Sequence, residues 1–185
     1  MIDFSAIRRA LAVLPSDHDA SGEYRPTVDD IFTPDQHANA LDPNTPIVVG
    51  ARGTGKSFWA GVLGQDDTRD ATAIAYPNLG LDRLVVRTGY SGLDTEDSVS
   101  KKMIDARVPR GREKDLASDF WQAVIMRAAY AALNPGEEQD TVREFMEAYS
   151  DPENAAREFR ALDKRLAESG RVLLVTFDAL DTVSK

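Results

Sequence analysis

The amino-acid sequence predicts an α/β protein whose strands form a buried parallel sheet. Two apolar, β-branched runs are the first observation: PIVVG at residues 46–50 and RVLLVTFD at residues 171–178. Continuous apolar runs of this kind are typical of strands that are covered on both faces, as they are in parallel sheets. The second observation is a glycine-rich turn at residues 50–57, which joins the first run to a helical pattern. Because strands and helical segments alternate in this way, the α/β class is favoured.

Composition limits the classes of protein that this chain can belong to. Its 185 residues suit one ordinary domain or slightly more, and a hydrophobic content of 42% is enough to build a core. Since the net charge is -9, general electrostatic binding to nucleic acid or anionic lipid is not indicated. The lack of cysteine excludes disulfides and thiolate chemistry. With no secretory signal and no apolar run near the ~20 residues that span a bilayer, we expect a cytoplasmic protein without membrane contact.

Residues 1–26 are predicted to form an N-terminal helix and a linker. Apolar residues recur at helical spacing within residues 3–14, namely at Phe4, Ile7, Leu11 and Leu14. The polar stretch PSDHDASGEYRP that follows is rich in turn formers, and Pro26 closes it. We therefore expect the main domain to cover residues 27–185.

The elements around the glycine-rich turn follow from local signals. Pro34 opens a short helical segment before the first strand, and a helix is predicted from Lys56 until Gly64 ends it. Two weaker strand predictions come next, TAIAYP at residues 72–77 and DRLVVRTG at residues 82–89.

A helical piece is expected as an insertion before the last strand, at about residues 93–168. It begins with a charged segment that we interpret as a solvated loop. Contact with phosphate or nucleic acid is the alternative for the basic cluster of this segment, which consists of Arg107, Arg110, Arg112 and Lys114. Helices are then predicted over residues 115–133, 139–149 and 152–168. A place in the core is favoured over a partner surface for their aromatic residues, which are Phe120, Trp121, Tyr130, Phe145, Tyr149 and Phe159.

The glycine-rich turn GARGTGKS matches the phosphate-binding pattern G-x-x-x-x-G-K-[ST] at every specified position. A loop that wraps around a phosphate points successive backbone N–H groups inward, which needs angles that glycine adopts cheaply. Lys56 is then expected to reach the β and γ phosphates, and the start of the helix adds N–H donors and partial positive charge. The alternative, a plain glycine turn before a helix, is disfavoured by the flanking strand and the Lys-Ser pair. The predicted nucleotide contacts are Gly50, Ala51, Arg52, Gly53, Thr54, Gly55, Lys56, Ser57 and Phe58.

A carboxylate at the end of the last strand is the second part of this site. Proteins with such a loop place an acidic residue at the carboxyl end of a neighbouring strand, where it holds magnesium through water. Asp178 follows the apolar run RVLLVTF and fits this role. The predicted magnesium ligands are therefore the Ser57 hydroxyl and the Asp178 carboxylate.

Together, PIVVGARGTGKS and LLVTFDALD resemble the P-loop ATPases of the additional-strand division, especially the bacterial KAP-like and STAND-like AAA-type families. The resemblance covers the two motifs only. It implies a three-layer αβα sandwich with a mainly parallel sheet, and binding of ATP and Mg²⁺. It also implies a role in regulated assembly, which in some bacteria includes defence against phage.

The second motif departs from the family pattern, which commonly has the form D-D-L-D-R. Asp178 matches the magnesium position and Asp181 the later aspartate, but Ala179 replaces the acid that would polarise the attacking water. Loss of a general base commonly lowers a rate by about 10²- to 10⁴-fold. Two roles stay open for Asp181: it substitutes as the base, or it caps a following helix.

The family fold continues beyond the second motif, whereas this sequence ends at Lys185. We therefore expect the N-terminal part of an ATPase that drives or regulates assembly of a larger bacterial complex, with Lys56, Asp178 and Asp181 as its catalytic residues. Self-association or a protein partner is expected because uncovered sheet edges favour association. The alternative is a nucleotide-dependent scaffold that binds ATP with little turnover. A small-molecule kinase is disfavoured because no arginine-rich lid follows the second motif.

Overall fold

The computed structural model describes residues 4–5, 25–51, 53–92, 98–137, 139–180 and 183. Helices of these residues are α1 (Ala38–Leu41), α2 (Lys56–Gly64), α3 (Asp66–Ala75), α4 (Lys101–Arg107), α5 (Glu113–Leu133), α6 (Val142–Ala148) and α7 (Pro152–Glu168). The strands are β1 (Leu84–Tyr90) and β2 (Val172–Phe177), and short 3₁₀ turns lie at Val28–Asp30, Asp35–His37 and Leu81–Arg83.

The two strands pair in parallel, with Leu84 opposite Val172 and Thr88 opposite Thr176. The register then shifts, so that Tyr90 lies opposite Phe177. Gly89 allows this shift because the Phe177 ring covers it: a Cβ at position 89 would lie 2.7 Å from Cζ of Phe177. The shift brings the end of β1 close to the end of β2.

Helices cover both faces of this sheet. On one face, Val86 and Leu174 pack against Leu63 of α2 and neighbouring buried residues. The other face packs against α5 and α7, and the larger core cluster lies beside it. The members of that cluster are Tyr90, Val99, Ile104, Phe120, Ala123, Val124, Met126, Val142 and Phe145. The α/β class and the parallel pairing are therefore confirmed, although the sheet has only two strands within the described residues.

Several predicted elements are confirmed. Helix α2 has the predicted bounds, and α7 covers the predicted residues 152–168. Asp151 caps α7, since its side chain accepts a 3.0 Å hydrogen bond from the Glu153 N–H, and Pro152 suits the first helical position. The aromatic residues of the helical piece pack in or against the core cluster, which confirms the core interpretation.

The strand predicted at residues 72–77 is wrong, because most of this stretch belongs to helix α3. Backbone carbonyls satisfy the hydroxyls of two buried threonines of α3, of which Thr72 belongs to the predicted strand. The Thr68 hydroxyl donates to the Val62 carbonyl and the Thr72 hydroxyl to the Thr68 carbonyl, both at 2.7 Å. Asp66 and Asp67 in the first turn also favour a helix start.

The loop predicted for the charged segment at the start of the helical piece is wrong in part, because residues 101–107 form α4. Ser100 caps this helix, since its hydroxyl oxygen accepts a hydrogen bond from the Met103 N–H at 3.3 Å. Ile104 is buried in the larger core cluster. Ile104 is thus the buried residue that anchors this mostly exposed helix.

The strand predicted at residues 46–50 is also wrong. This stretch has no strand pairing with a described residue, and Ile47 and Val49 are 75% and 89% exposed. An apolar run indicates a preference for burial, but a strand forms only where a partner strand supplies the hydrogen bonds. The predicted helix at residues 3–14 and its linker lie outside the described residues, except that Phe4 and Ser5 are helical. No helix of the described residues is long and apolar enough to cross a membrane.

Candidate functional site

The glycine loop before α2 is a tight turn that depends on its glycines. Gly53 and Gly55 have φ angles of 83° and 84°, in the left-handed region that favours glycine. A Cβ at Gly50 would lie 2.7 Å from the Thr54 hydroxyl oxygen. Thr54 closes the turn, because its hydroxyl and its N–H donate to the Ala51 carbonyl at 2.8 and 3.3 Å. Gly53 and Gly55 therefore allow the left-handed backbone of this turn, and Gly50 leaves room for the Thr54 hydroxyl.

Lys56 folds back across this loop. Its ammonium group donates to the carbonyl oxygens of Gly50 at 2.7 Å and of Ala51 at 3.0 Å. Both acceptors are neutral, and both belong to the beginning of the loop. The cation is thus held beside the turn and makes no ion pair with a described residue.

Helix α2 begins at Lys56 with its first-turn N–H groups free of capping side chains. These N–H groups have no carbonyl partner within the helix, and they carry the positive end of the helix dipole. The Ser57 hydroxyl has no hydrogen bond to a described residue. The start of α2 therefore offers several donors and one hydroxyl beside the Lys56 ammonium.

Aromatic and buried side chains fix α2 on the protein. The Trp59 ring meets His37 edge-on, with ring centroids 5.4 Å apart, and meets Phe58 in the same manner at 5.7 Å. Leu63 is buried against the sheet. Phe58, a predicted nucleotide contact, is half-buried. These contacts set the direction of the helix, and with it the position of the loop.

Asp178 lies at the carboxyl end of β2, as predicted. Its N–H donates to the Tyr90 carbonyl at 2.8 Å, which ties it to the end of β1. One carboxylate oxygen, Oδ1, accepts a 2.8 Å hydrogen bond from the Ala179 N–H. The second oxygen has no hydrogen bond to a described residue and is free to accept another ligand.

No hydrogen bond or ion pair between described residues joins Asp178 to the glycine loop. Lys56 binds its own loop, whereas Asp178 binds the end of β1. The strand predicted at residues 46–50 would have brought the loop into the sheet, and that strand is not formed. Arg52 and Asp181 lie outside the described residues. Within the described chain, no group of three or more His, Asp or Glu side chains is placed to hold a metal.

Two cavities lie away from the loop. One, of about 80 Å³, is lined by Arg87 and Arg127 among others, and the other, of about 450 Å³, lies between α5, α7 and β2. No residue of the glycine loop lines either of them. Sequence reasoning missed Arg87 and Arg127; the only available signal was a charged residue within the strand pattern DRLVVRTG.

No family model, curated protein or solved structure matches this chain. A functional assignment therefore rests on the glycine loop and on the end of β2.

Proposed function

We propose that this chain binds ATP with Mg²⁺ at the glycine loop. The observation that carries the proposal is the position of Lys56, whose ammonium group lies on two carbonyls of a turn with left-handed glycines. Phosphate oxygens are anionic, and hydrogen bonds between charged groups are roughly twice as strong as neutral ones. When a nucleotide binds, replacement of the two carbonyl oxygens by phosphate oxygens as acceptors for the Lys56 ammonium is therefore favourable.

Backbone groups support the same proposal. The first-turn N–H groups of α2 have no capping side chain, and a phosphate at a helix N-terminus receives both these hydrogen bonds and the helix dipole. ATP is favoured over GTP because the sequence contains no N-K-x-D stretch of the kind that recognises guanine.

The residues also suit a magnesium ion bound together with the nucleotide. Magnesium in such sites takes one or two protein oxygens and completes its shell with phosphate oxygens and water. The Ser57 hydroxyl and the free oxygen of Asp178 are oxygen donors of this type. When bound, the ion neutralises charge on the phosphates; the roles of Ser57 and Asp178 are to hold it.

For the reaction itself we propose slow hydrolysis of ATP: water attacks the γ-phosphorus, the bond from this phosphorus to the β–γ bridging oxygen breaks, and ADP and inorganic phosphate are the products. Lys56 and the loop N–H groups then stabilise the charge that develops on the phosphoryl group. Ala179 follows Asp178 and has no group that can accept a proton, which leaves Asp181 as the proposed base. A biological role in ATP-dependent assembly of a larger bacterial complex, including phage defence, is proposed only through the resemblance described above.

A second proposed function is a switch that binds ATP with little or no turnover. Ala179 favours it, since the position next to the magnesium ligand lacks an acid. The two functions differ in turnover and share the binding site.

The test is ATP affinity and ATP turnover in the presence of Mg²⁺, measured on the parent chain and on Lys56→Ala. A charge-assisted hydrogen bond contributes about 1.5–3 kcal/mol, so we expect affinity to fall about 10- to 100-fold. Lys102→Ala, which removes an exposed lysine of α4 outside the basic cluster, serves as the matched control and should bind normally. Equal affinity in Lys56→Ala and the parent would refute the proposal. Binding without turnover would favour the switch.

A further inference from the structure

A second group of basic side chains lies on the face of the sheet that α5 covers. The cavity of about 80 Å³ is formed there between β1 and α5. Arg87 of β1 and Arg127 of α5 both line it, and no acidic residue of the described chain does so. Apart from Thr88 and Gln139, the other lining residues are apolar or glycine. The described lining of the cavity is therefore positively charged and otherwise mostly apolar.

The two guanidinium groups differ in how they are held. Arg87 donates to the Val86 carbonyl at 3.0 Å and to the Ala131 carbonyl at 3.3 Å. The second acceptor lies in the last turn of α5, where carbonyls lack helical partners. Arg87 is thus fixed at the cavity wall by neutral acceptors, and its positive charge is not compensated by an ion pair with a described residue.

Arg127 has no hydrogen bond to any described residue, and its Nε is shut off from solvent without a partner. Buried polar groups nearly always have a partner, so an unpaired buried donor calls for a specific explanation. Arg127 and Ala131 lie one turn apart on the same face of α5. The Arg87 side chain, which donates to the Ala131 carbonyl, therefore lies beside the face of α5 that carries Arg127.

We propose that this cavity binds a small oxyanion with the size and charge of inorganic phosphate, between Arg87 and Arg127. An arginine fork donates two parallel hydrogen bonds to such an anion, and a mostly apolar lining strengthens them. Pockets for drug-sized ligands have volumes of about 300–1,000 Å³, so a cavity of about 80 Å³ suits an ion and excludes a nucleotide. The site is separate from the glycine loop, since no loop residue lines it.

The test uses inorganic phosphate and thermal unfolding, with chloride added to keep the ionic strength constant. All chains carry Lys56→Ala, which weakens phosphate binding at the glycine loop. We expect phosphate to raise the Tm in proportion to the logarithm of its concentration, and we expect Arg127→Gln to remove this shift. Arg160→Gln is the matched control, because Arg160 is exposed on α7 and has no ion pair with a described residue; it should keep the full shift.

A third variant covers the case in which Arg127→Gln does not fold. Arg127→Lys keeps the charge but loses the planar fork, so we expect a smaller phosphate shift than in the parent. An undiminished shift in either Arg127 variant overturns the proposal. No phosphate shift in the Lys56→Ala background also overturns it, and that result leaves ATP binding at the glycine loop untouched. Conversely, failure to bind ATP with an intact phosphate shift contradicts the proposed function alone.

Discussion

At the scale of single residues, Ala179 offers a test that separates the two proposed functions, ATP hydrolysis and an ATP-bound switch. Its φ angle is 55°, a left-handed conformation that aspartate and asparagine tolerate better than most residues. We therefore predict that Ala179→Asp folds normally and supplies a carboxylate beside Asp178. If ATP is hydrolysed slowly because this acid is missing, turnover should rise by about 10²-fold or more.

The measurement is single-turnover hydrolysis of ATP with Mg²⁺. Ala179→Asn is the matched control, because asparagine tolerates the same backbone conformation and cannot accept the proton from water. A similar rise in Ala179→Asn would show that the carboxylate does not act as a base. No rise in either variant would favour the switch.

The sequence predicts single residues well where a short pattern fixes them. Gly53, Gly55 and Lys56 act within one turn of chain, so their spacing alone indicates a loop with left-handed glycines and a lysine beside it. Arg87 and Arg127 are far apart in the sequence. Their common cavity depends on how α5 packs against β1, and no local pattern specifies that packing.

At the scale of elements, prediction was reliable for long helices and poor for short or mixed segments. Helix α7 has a strong periodic pattern and clear ends. Helix α5 is only weakly amphipathic, and its length and the NPG stop at residues 134–136 indicate it instead. Helix α3 contains two threonines and an isoleucine, which favour strands in isolation. Hydrogen bonds from Thr68 and Thr72 to backbone carbonyls, together with burial of both side chains, reverse that preference. Tertiary contacts thus decided what local propensity did not.

The junction of α5, α6 and α7 gives a prediction about pH. The Tyr130 hydroxyl donates to Glu158 at 2.6 Å and is hydrogen bonded to the Tyr149 hydroxyl at 3.0 Å. Burial first, and then these two hydrogen bonds, raise the pKa of Tyr130 well above its usual value. An unfolded tyrosine has a pKa of about 10. Since the pKa of Tyr130 is higher in the folded state than in the unfolded state, the neutral hydroxyl stabilises the fold fully below pH ~10. This contribution is lost as the pH rises above that value.

We therefore expect the free energy of unfolding to fall above pH ~10 and to fall less steeply in Tyr130→Phe. Urea unfolding at several pH values between about 8 and 11 measures both slopes. Part of the fall should remain, because burial and the Asp35 charge also raise the pKa of Tyr76. At neutral pH the tyrosine is not ionised, so the difference in the free energy of unfolding between Tyr130→Phe and the parent there measures loss of the hydrogen bonds alone. The difference in slope above pH ~10 measures loss of the ionisable hydroxyl. Parallel curves for the parent and the variant would contradict this account.

At the scale of the whole molecule, the class of fold and the parallel pairing could be predicted, but the number of paired strands could not. The order of apolar runs and helices indicates an α/β protein, and the pairing of β1 with β2 confirms it. Which runs pair is a long-range property, because α4 to α7 separate β1 from β2 in the sequence. The run at residues 46–50 has the composition of a strand and yet lies unpaired, so composition did not reveal how many strands the sheet has.

This exposed run leads to a prediction about association. Exposed apolar segments of extended chain favour contact with other chains, and Ile47 and Val49 are the most exposed part of this one. We predict that the parent chain self-associates with rising concentration and that the double variant Ile47→Lys, Val49→Lys does so less. Its free energy of unfolding should stay within about 0.5 kcal/mol of the parent, as is usual for exposed sites.

Sedimentation velocity over a range of protein concentrations measures self-association. Urea unfolding at the lowest concentration measures the free energy of unfolding separately. Ile74→Lys is the matched control, since Ile74 is similarly exposed on α3 and lies outside the run; it should associate like the parent. If association is equal in all three chains, residues 46–50 are not the contact. If the double variant instead loses more than about 1 kcal/mol of stability, the run is buried within the chain in solution, because lysine at an exposed site does not cause such a loss.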